Sequence, residues 1–463
     1  MTKIPATQTA APVIESATIM HANNEAVGAC GCADAITESP RITPVAGTFD
    51  VLVAGAGPAG LGAALGAARA GARVAIVERH GCLGGMLTAG GVQNIRQFTD
   101  RERRIIGGPA VELVHRIHDA GGTRESPETG TRVMQEPEVT KFVAQEMLLE
   151  AGVVPHLHTW IATAIVEAER VRGLIVEAKS GRRALLAGVT VDATGDGDVI
   201  ARAGAAFDCD PENLQPMTLA FILSHVDAWP EGIGAEMAGK IRQAIEAGEF
   251  PCERVPSIFA RPRSGEYYVN GTRIPGDCTN AEELTRCEIE GRRQVMGVVD
   301  WLRKHAPGYA NACLHSTAQQ VGLRESRRLR GCYALTREDV LDCRDFDDRI
   351  ARGGYGIDIH YPGRGGEMTW PPIGQSYAIP YRCLVPETME GLLAAGRCLS
   401  ATREALGAVR VMAIAMATGH AAGVAAALAV RRNCTPREVP IAEIQSELRR
   451  QEAILEHPAG HTT

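Results

Sequence analysis

The stretch Phe49–Gly60, FDVLVAGAGPAG, decides how the rest of the chain is read. Asp50–Ala54 is a short apolar run closed by glycine, the pattern of a buried strand. Gly55, Gly57 and Gly60 then form G-x-G-x-x-G, and the alanine-rich run Ala59–Ala70 predicts a helix. In this pattern Gly57 lets backbone approach a diphosphate, and Gly60 lets helix and strand pack closely. A helix opening at Pro58 and Ala59 presents unpaired N–H groups and partial positive charge to phosphate. Arg73–Val77, RVAIV, is a second buried strand, so the unit is β-α-β with a parallel pairing and a right-handed crossover. Glu78 closes that strand 21 residues after Gly57, where a carboxylate can accept both ribose hydroxyls of an adenosine. The bland alternative, a glycine-rich turn that binds nothing, does not account for the strand, helix and acid falling together.

Three further stretches choose among dinucleotides. Glu78 disfavours a 2′-phosphate, so NADP is a poor fit. Gly81–Met86, GCLGGM, follows the acid directly, and a turn at Leu83–Gly84–Gly85 lets the chain pass close to the diphosphate. Trp160–Ala193 holds three strand-like runs, a meander that ends in the small residues Ala193–Thr194–Gly195–Asp196. Gly391–Ala395 predicts a late strand, followed by Gly396–Arg397 and a long helix from about Val409. A helix N-terminus there would favour the negative charge that collects on reduced flavin. FAD is therefore the expected cofactor.

The chain has 463 residues, 45% hydrophobic and 22% charged, which is ample for a large core. Its formal net charge of −7 gives no general attraction to nucleic acid, and no nucleic-acid partner is expected. Fifty-one glycines with only 4% aromatic residues suit close backbone approach to a bulky ligand, or a genome biased toward Ala, Gly and Arg codons. Thirteen cysteines without a secretory segment or C-x-x-C spacing point to reduced thiols in a cytoplasmic setting. Cys30 and Cys32 are read as part of a flexible tail rather than a redox pair. Val411–Val430 is long enough to span a bilayer, but it is mostly Ala and Gly with no aromatic belt. It is read as a helix buried in a soluble domain, and no membrane association is expected.

Together the motifs FDVLVAGAGPAG, GCLGGMLTAGG, VDATGDGDV, VGLRESRRLRG and the long IPYRCLVPETMEGLLAAGRCLSATREALGAVRVMAIAMATGHAAGVAAAL resemble the glutathione-reductase-type FAD fold. More narrowly they are similar to bacterial FAD-dependent oxidoreductases related to the flavin subunit of heterodisulfide reductase. The matching pieces span roughly residues 49–430, with the middle matched in patches. The resemblance implies non-covalent FAD at Gly55, Gly57, Gly60, Glu78, Arg79, Gly85, Asp196 and the Gly396–Arg397 turn. With the residue-level reading, the candidate contacts also include Pro58, Ala59, Gly84, Met86, Ala162, Ala193, Thr194, Gly195, Val409 and Arg410. The expected fold class is α/β: a Rossmann-type FAD-binding domain with an antiparallel meander and an inserted substrate or cap domain. The expected division is a weakly ordered arm at 1–48, the first part of the FAD domain at 49–215 and a cap at 216–380. A return segment follows at 381–435, then a C-terminal helix and tail at 436–463.

Two departures narrow the chemistry. Disulfide reductases of this fold carry a C-x-x-x-x-C pair after the Leu-Gly-Gly turn, whereas residues 86–91 here are MLTAGG. No second G-x-G-x-x-G lies between a strand and a helix, so a separate NAD(P)H domain is not expected. The expected reaction is hydride transfer between a small polar metabolite and the flavin, with an external electron donor or acceptor. The alternative is a flavin electron-transfer subunit of a larger complex. His360 is the candidate for proton transfer, against a structural histidine bonded to Asp358. Arg324 and Arg327 are further catalytic candidates, Arg327 for holding an anionic substrate or stabilising an enolate, against an ion pair with Glu325 or Asp339. Cys82 is read as packing. His305, His315 and His420 lack ligand spacing, so no metal is expected. A homo-oligomer is compatible with an acidic enzyme of this type.

Overall fold

A computed structural model describes residues 39–128, 131–227, 234–262, 265–362 and 365–457. Most of the expected arm, with Cys30 and Cys32, lies outside the described residues. The part nearest the domain is not an arm. Val45–Ala54 is one continuous strand, β1, so residues 45–48 already belong to the sheet. Their partners explain this: Val45, Gly47 and Thr48 pair with Ala184, Leu185 and Leu186.

Thr43–Thr463 is one compact unit. β1 leads through Gly55–Gly57 into α1 (Pro58–Arg69), then β2 (Val74–Val77), which lies parallel to β1. Val51–Ala54 of β1 and all of β2 are buried, as a sheet covered on two faces requires. A short strand, β3 (Val154–His156), extends the sheet beyond β2. The meander follows as β4 (Trp160–Glu167), β5 (Arg170–Ala178) and β6 (Gly181–Asp192), each antiparallel to the next. β6 then changes partners along its length. One edge, from Ala184 to Asp192, runs parallel to β1, while along the other edge Gly181–Leu186 bond to β5 and Thr190–Asp192 pair with the late strand β7 (Leu392–Ala394). The sheet order is thus β3-β2-β1-β6-β5-β4, with β7 beside the end of β6. This is the expected Rossmann-like α/β architecture.

The expected insert 216–380 divides between two cores. Residues 217–323 build their own, around a four-stranded sheet (Phe221–Ser224, Ser257–Ala260, Tyr267–Asn270 and Cys313–Thr317) and the helix Ala281–His305. Apolar residues from Leu335 to Ile379, including Ile350, Ile357 and Tyr377, pack instead into the core beneath α1.

The expected long helix from about Val409 is α3 (Met412–Arg432), and a short helix, α2 (Arg403–Val409), comes before it. The break falls where Arg410 reaches Asp358 and Val411 adopts extended backbone. Of the most apolar stretch of α3, 89% is buried inside the protein, mostly against α1. The two helices meet backbone to backbone. A Cβ on Gly62 or Gly66 of α1 would strike the carbonyl oxygens of Met416 or His420. One on Gly419 or Gly423 of α3 would strike those of Ala59 or Ala63. Four glycines, two per helix and each pair four residues apart, therefore interlock the helices.

Gly423→Ala forces the helices apart and is expected to cost about 1–3 kcal/mol, seen as a lower thermal midpoint; an unchanged midpoint would contradict the contact. A pH effect arises beside it. His420 is buried in α3 with Nε2 facing Gln451 Oε1 at 2.9 Å, and burial pushes its pKa down to about 4. Unfolding returns it to about 6.5, so the unfolded chain binds more protons between those values and stability falls as pH drops through that window. In His420→Gln the loss of thermal midpoint between pH 7 and pH 5 should be smaller than in the unaltered protein.

Candidate functional site

The glycine-rich turn, the acid after β2 and the Leu-Gly-Gly turn meet at Ala56. Its N–H donates to Glu78 Oε2 at 2.8 Å, and its carbonyl accepts from the Gly84 N–H at 2.8 Å. The other Glu78 oxygen accepts the His80 N–H, so this buried carboxylate, expected at the adenosine ribose, also fixes the loops on either side of it. Gly85 comes so close that a Cβ on it would lie 2.6 Å from Gly57 Cα. Gly60 has the packing role expected of the third glycine, since a Cβ there would overlap the Gly55 carbonyl oxygen.

The facing wall is organised by Asp192, which the sequence reading passed over. Its buried carboxylate accepts four hydrogen bonds, from the Thr194 N–H and hydroxyl and from the N–H groups of Val199 and Ile200. Burial nonetheless raises its pKa. These bonds curl Ala193–Asp198 into the cleft. Asp196 then pairs with Arg397 at 2.8 Å, joining this turn to the Gly396–Arg397 turn.

The segment Arg324–Arg328 stitches the walls together. Ser326 Oγ donates to the Gly195 carbonyl and accepts from Arg397. Glu325 is buried and pairs with Arg328 and Arg403. Arg327 is not at a substrate position: it bonds the Asp196 carbonyl, pairs with Asp198 at 3.1 Å and lies over the Phe207 ring. Its acidic partner is thus neither Glu325 nor Asp339.

Between these walls runs a cleft of about 1110 Å³, open to solvent. Gly55, Gly57, Pro58, Ala59, Glu78, Arg79, Gly85 and Met86 line it, as do Ala193–Asp196, Gly396, Arg397 and Arg410. Four candidates do not. Gly60 packs α1 on the strand, Gly84 bonds Ala56, the Ala162 carbonyl accepts from Arg202, and Val409 is buried at the end of α2. Two helices open on the cleft, α1 at Gly57 and α3 at Val411, and neither has a side-chain cap. Arg79 lies over the Trp160 ring at 5.5 Å and bonds Gln320 at the Glu78 end.

A second cavity, also open to solvent, shares Met86, Leu323, Arg410 and Met412 with the cleft. Arg324 lines it, as expected. His360 lines it too, but both ring nitrogens are engaged. The guanidinium of Arg273 can only donate, so Nδ1 accepts from it at 3.1 Å; the ring proton sits on Nε2, 3.3 Å from Asp358. Burial, with Arg324 nearby, pushes the His360 pKa down to about 4 despite its Asp358 partner. A neutral ring with no free nitrogen is poorly placed for proton transfer, and the structural alternative describes His360 better. Burial alone would raise the pKa of Asp358, but His360, Arg410 and Arg324 hold it well below the usual carboxylate range. Sequence reading missed Arg254, Tyr268, Asn94 and Arg96, which also line this cavity. They lie on elements distant in sequence and form no local motif. Cys82 is half-buried beside Thr88, and burial raises its pKa, which suits packing.

The sequence profile described as "FAD dependent oxidoreductase" matches residues 50–448, and the chain belongs to that family. No curated protein matches it. Among solved structures it is similar to a geranylgeranyl bacteriochlorophyll reductase-like protein from Thermoplasma acidophilum (16% identity, 88% of this chain and 84% of that one, TM-score 0.47). It is also similar to a glycine oxidase from Geobacillus kaustophilus (12% identity, 80% and 92%, TM-score 0.42) and an anhydrotetracycline hydroxylase from Streptomyces rimosus (15%, 87% and 66%, TM-score 0.43).

The protein is an FAD-dependent oxidoreductase, and its residues fit the cofactor. The cleft has an uncapped helix N-terminus for the diphosphate, and Gly57 leaves backbone bare where phosphate must approach. A Cβ on Gly57 would meet no protein atom nearer than 3.9 Å, so its space is reserved for something other than protein. Gly57→Val should therefore fold but lose bound FAD, read as flavin absorbance per chain after gel filtration. Full retention of flavin would refute the placement.

Proposed function

We propose that the chain exchanges a hydride between FAD and a small polar molecule held in the second cavity. The observation that carries this reading is the shared wall: Met86, Leu323, Arg410 and Met412 border both spaces, so a molecule in one lies against the contents of the other. Bound FAD supplies two-electron redox chemistry. The chain's own residues bind and orient the substrate and exclude water. Oxidation of a C–H beside oxygen or nitrogen sends the hydride to the cofactor and releases the heteroatom's proton. Tyr268 is suited to bonding that heteroatom. Its hydroxyl is buried with no hydrogen-bond partner among the described residues, and burial raises its pKa to about 12, so it remains a donor at neutral pH. The electrons then pass to an external acceptor, or arrive from a donor in the reverse direction. The VDATGDGDV and GLLAAGRCLS motifs favour kinship with the flavin subunit of heterodisulfide reductase. Eleven free thiols among the described residues suit a cytoplasmic location.

Anaerobic mixing with a panel of small polar metabolites tests the reading. At least one should bleach the oxidised-flavin absorbance, and Tyr268→Phe should lower kcat/KM for that compound about tenfold, on the order of 1–2 kcal/mol. Reduction only by a second redox protein would contradict it and favour an electron-transfer subunit.

A further inference from the structure

The polar groups of the second cavity are strongly unbalanced in charge. Arg96, Arg254, Arg324 and Arg410 line it, and the one acidic side chain among its lining residues is Asp358. Arg410 uses that carboxylate, at 3.0 Å. The others find neutral partners or none. Arg324 donates to the Pro216 carbonyl at 2.6 Å, and Arg254 to Asn270 Oδ1 at 3.0 Å and Ser257 Oγ at 3.4 Å. His360 adds no charge, because its ring is neutral. Burial, followed by repulsion from Arg254 and Arg410, pushes the Arg324 pKa down to about 9.

Four guanidinium groups gathered around one carboxylate are costly to keep out of water, and a bound anion offsets that cost. Three buried polar atoms on cavity-lining residues have no hydrogen-bond partner among the described residues: Tyr268 Oη and Arg410 Nε, which can donate to an anion, and Asn94 Oδ1, which accepts and would suit a donor elsewhere on the ligand. The rest of the lining is mixed, with Asn94, Thr218, Ser257, Asn270 and Tyr355 beside an apolar patch of Met86, Phe259, Leu323 and Met412. The apolar patch suits the short carbon skeleton of a carboxylic acid.

We infer that the substrate is a small organic carboxylate, its anionic group held by Arg254 and Arg324 with Tyr268 donating to it or to its neighbouring heteroatom. The inference rests on the proposed oxidoreductase reading and narrows it to a substrate class.

The test titrates the purified flavin-bound protein with malonate and succinate, with malonamide and succinamide as uncharged counterparts, and with glycerol 3-phosphate. The readout is perturbation of the flavin absorption spectrum. The carboxylates should bind at least tenfold more tightly than the amides. Arg324→Gln and Arg254→Gln should each weaken carboxylate binding at least tenfold while FAD stays bound. Arg324→Lys, which keeps the charge, should recover part of that loss and guards against misfolding of the glutamine variant. Arg382→Gln, at a half-exposed ion pair with Asp348, should change nothing. Equal or absent perturbation by acids and amides, with flavin that dithionite still reduces, would overturn the carboxylate assignment and leave the oxidoreductase reading standing. Perturbation by glycerol 3-phosphate alone would overturn it in the same way. Flavin that dithionite cannot reduce would overturn the underlying reading instead.

Discussion

Two helices touch backbone to backbone, and the cofactor cleft depends on that contact. Gly62 and Gly66 of α1 receive the turns of α3, and Gly419 and Gly423 of α3 receive those of α1. Larger residues would separate the helices by the width of a side chain. The consequence reaches the site because both helices begin there. α1 opens at Gly57 and α3 at Val411, and each N-terminus is left uncapped by side chains. A close, fixed crossing sets the distance between two partial positive charges, one suited to the diphosphate and the other to the flavin. The high glycine and alanine content of both helices is thus a packing requirement.

The loops around the crossing are locked by polar groups that never leave the protein. Glu78 holds Ala56, Asp192 holds the turn from Ala193 to Asp198, and Arg397 holds Asp196. Residues 324–327 carry this order to the second cavity, with alternating duties. Arg324 faces the cavity, Glu325 anchors two arginines, Ser326 bonds the Gly195 turn, and Arg327 bonds the Asp196–Asp198 turn. A substitution at Ser326 or Arg327 would act on the cofactor through the turn it supports.

Where the physics was local, it was legible in the sequence. The strand–turn–helix at β1 and α1, Glu78, the Leu-Gly-Gly turn and the meander all have short-range signatures, and the structure brings them to one cleft. Element ends were less legible. Nothing in ALGAVRVMA announces that the chain stops being helical at Arg410, because that break depends on Asp358, 52 residues earlier. The second cavity was hardly legible at all. Arg96, Arg254 and Tyr268 lie on separate strands or loops and meet only through topology. His360 and Arg327 had the right chemistry for catalysis, but partners supplied by the fold, Arg273 and Asp358 for one and Asp198 for the other, absorb it.

The central claim is that the crossing of α1 and α3 builds one continuous FAD site that opens into the arginine-lined cavity. A crystal structure of the protein purified with its flavin tests it most directly. The account predicts the diphosphate at the N-terminus of α1 over Gly57, the adenosine ribose toward Glu78, and the isoalloxazine ring against Met86 and Met412 at the mouth of the second cavity. An FAD whose diphosphate lies away from Gly57, or whose ring is walled off from that cavity, would contradict it.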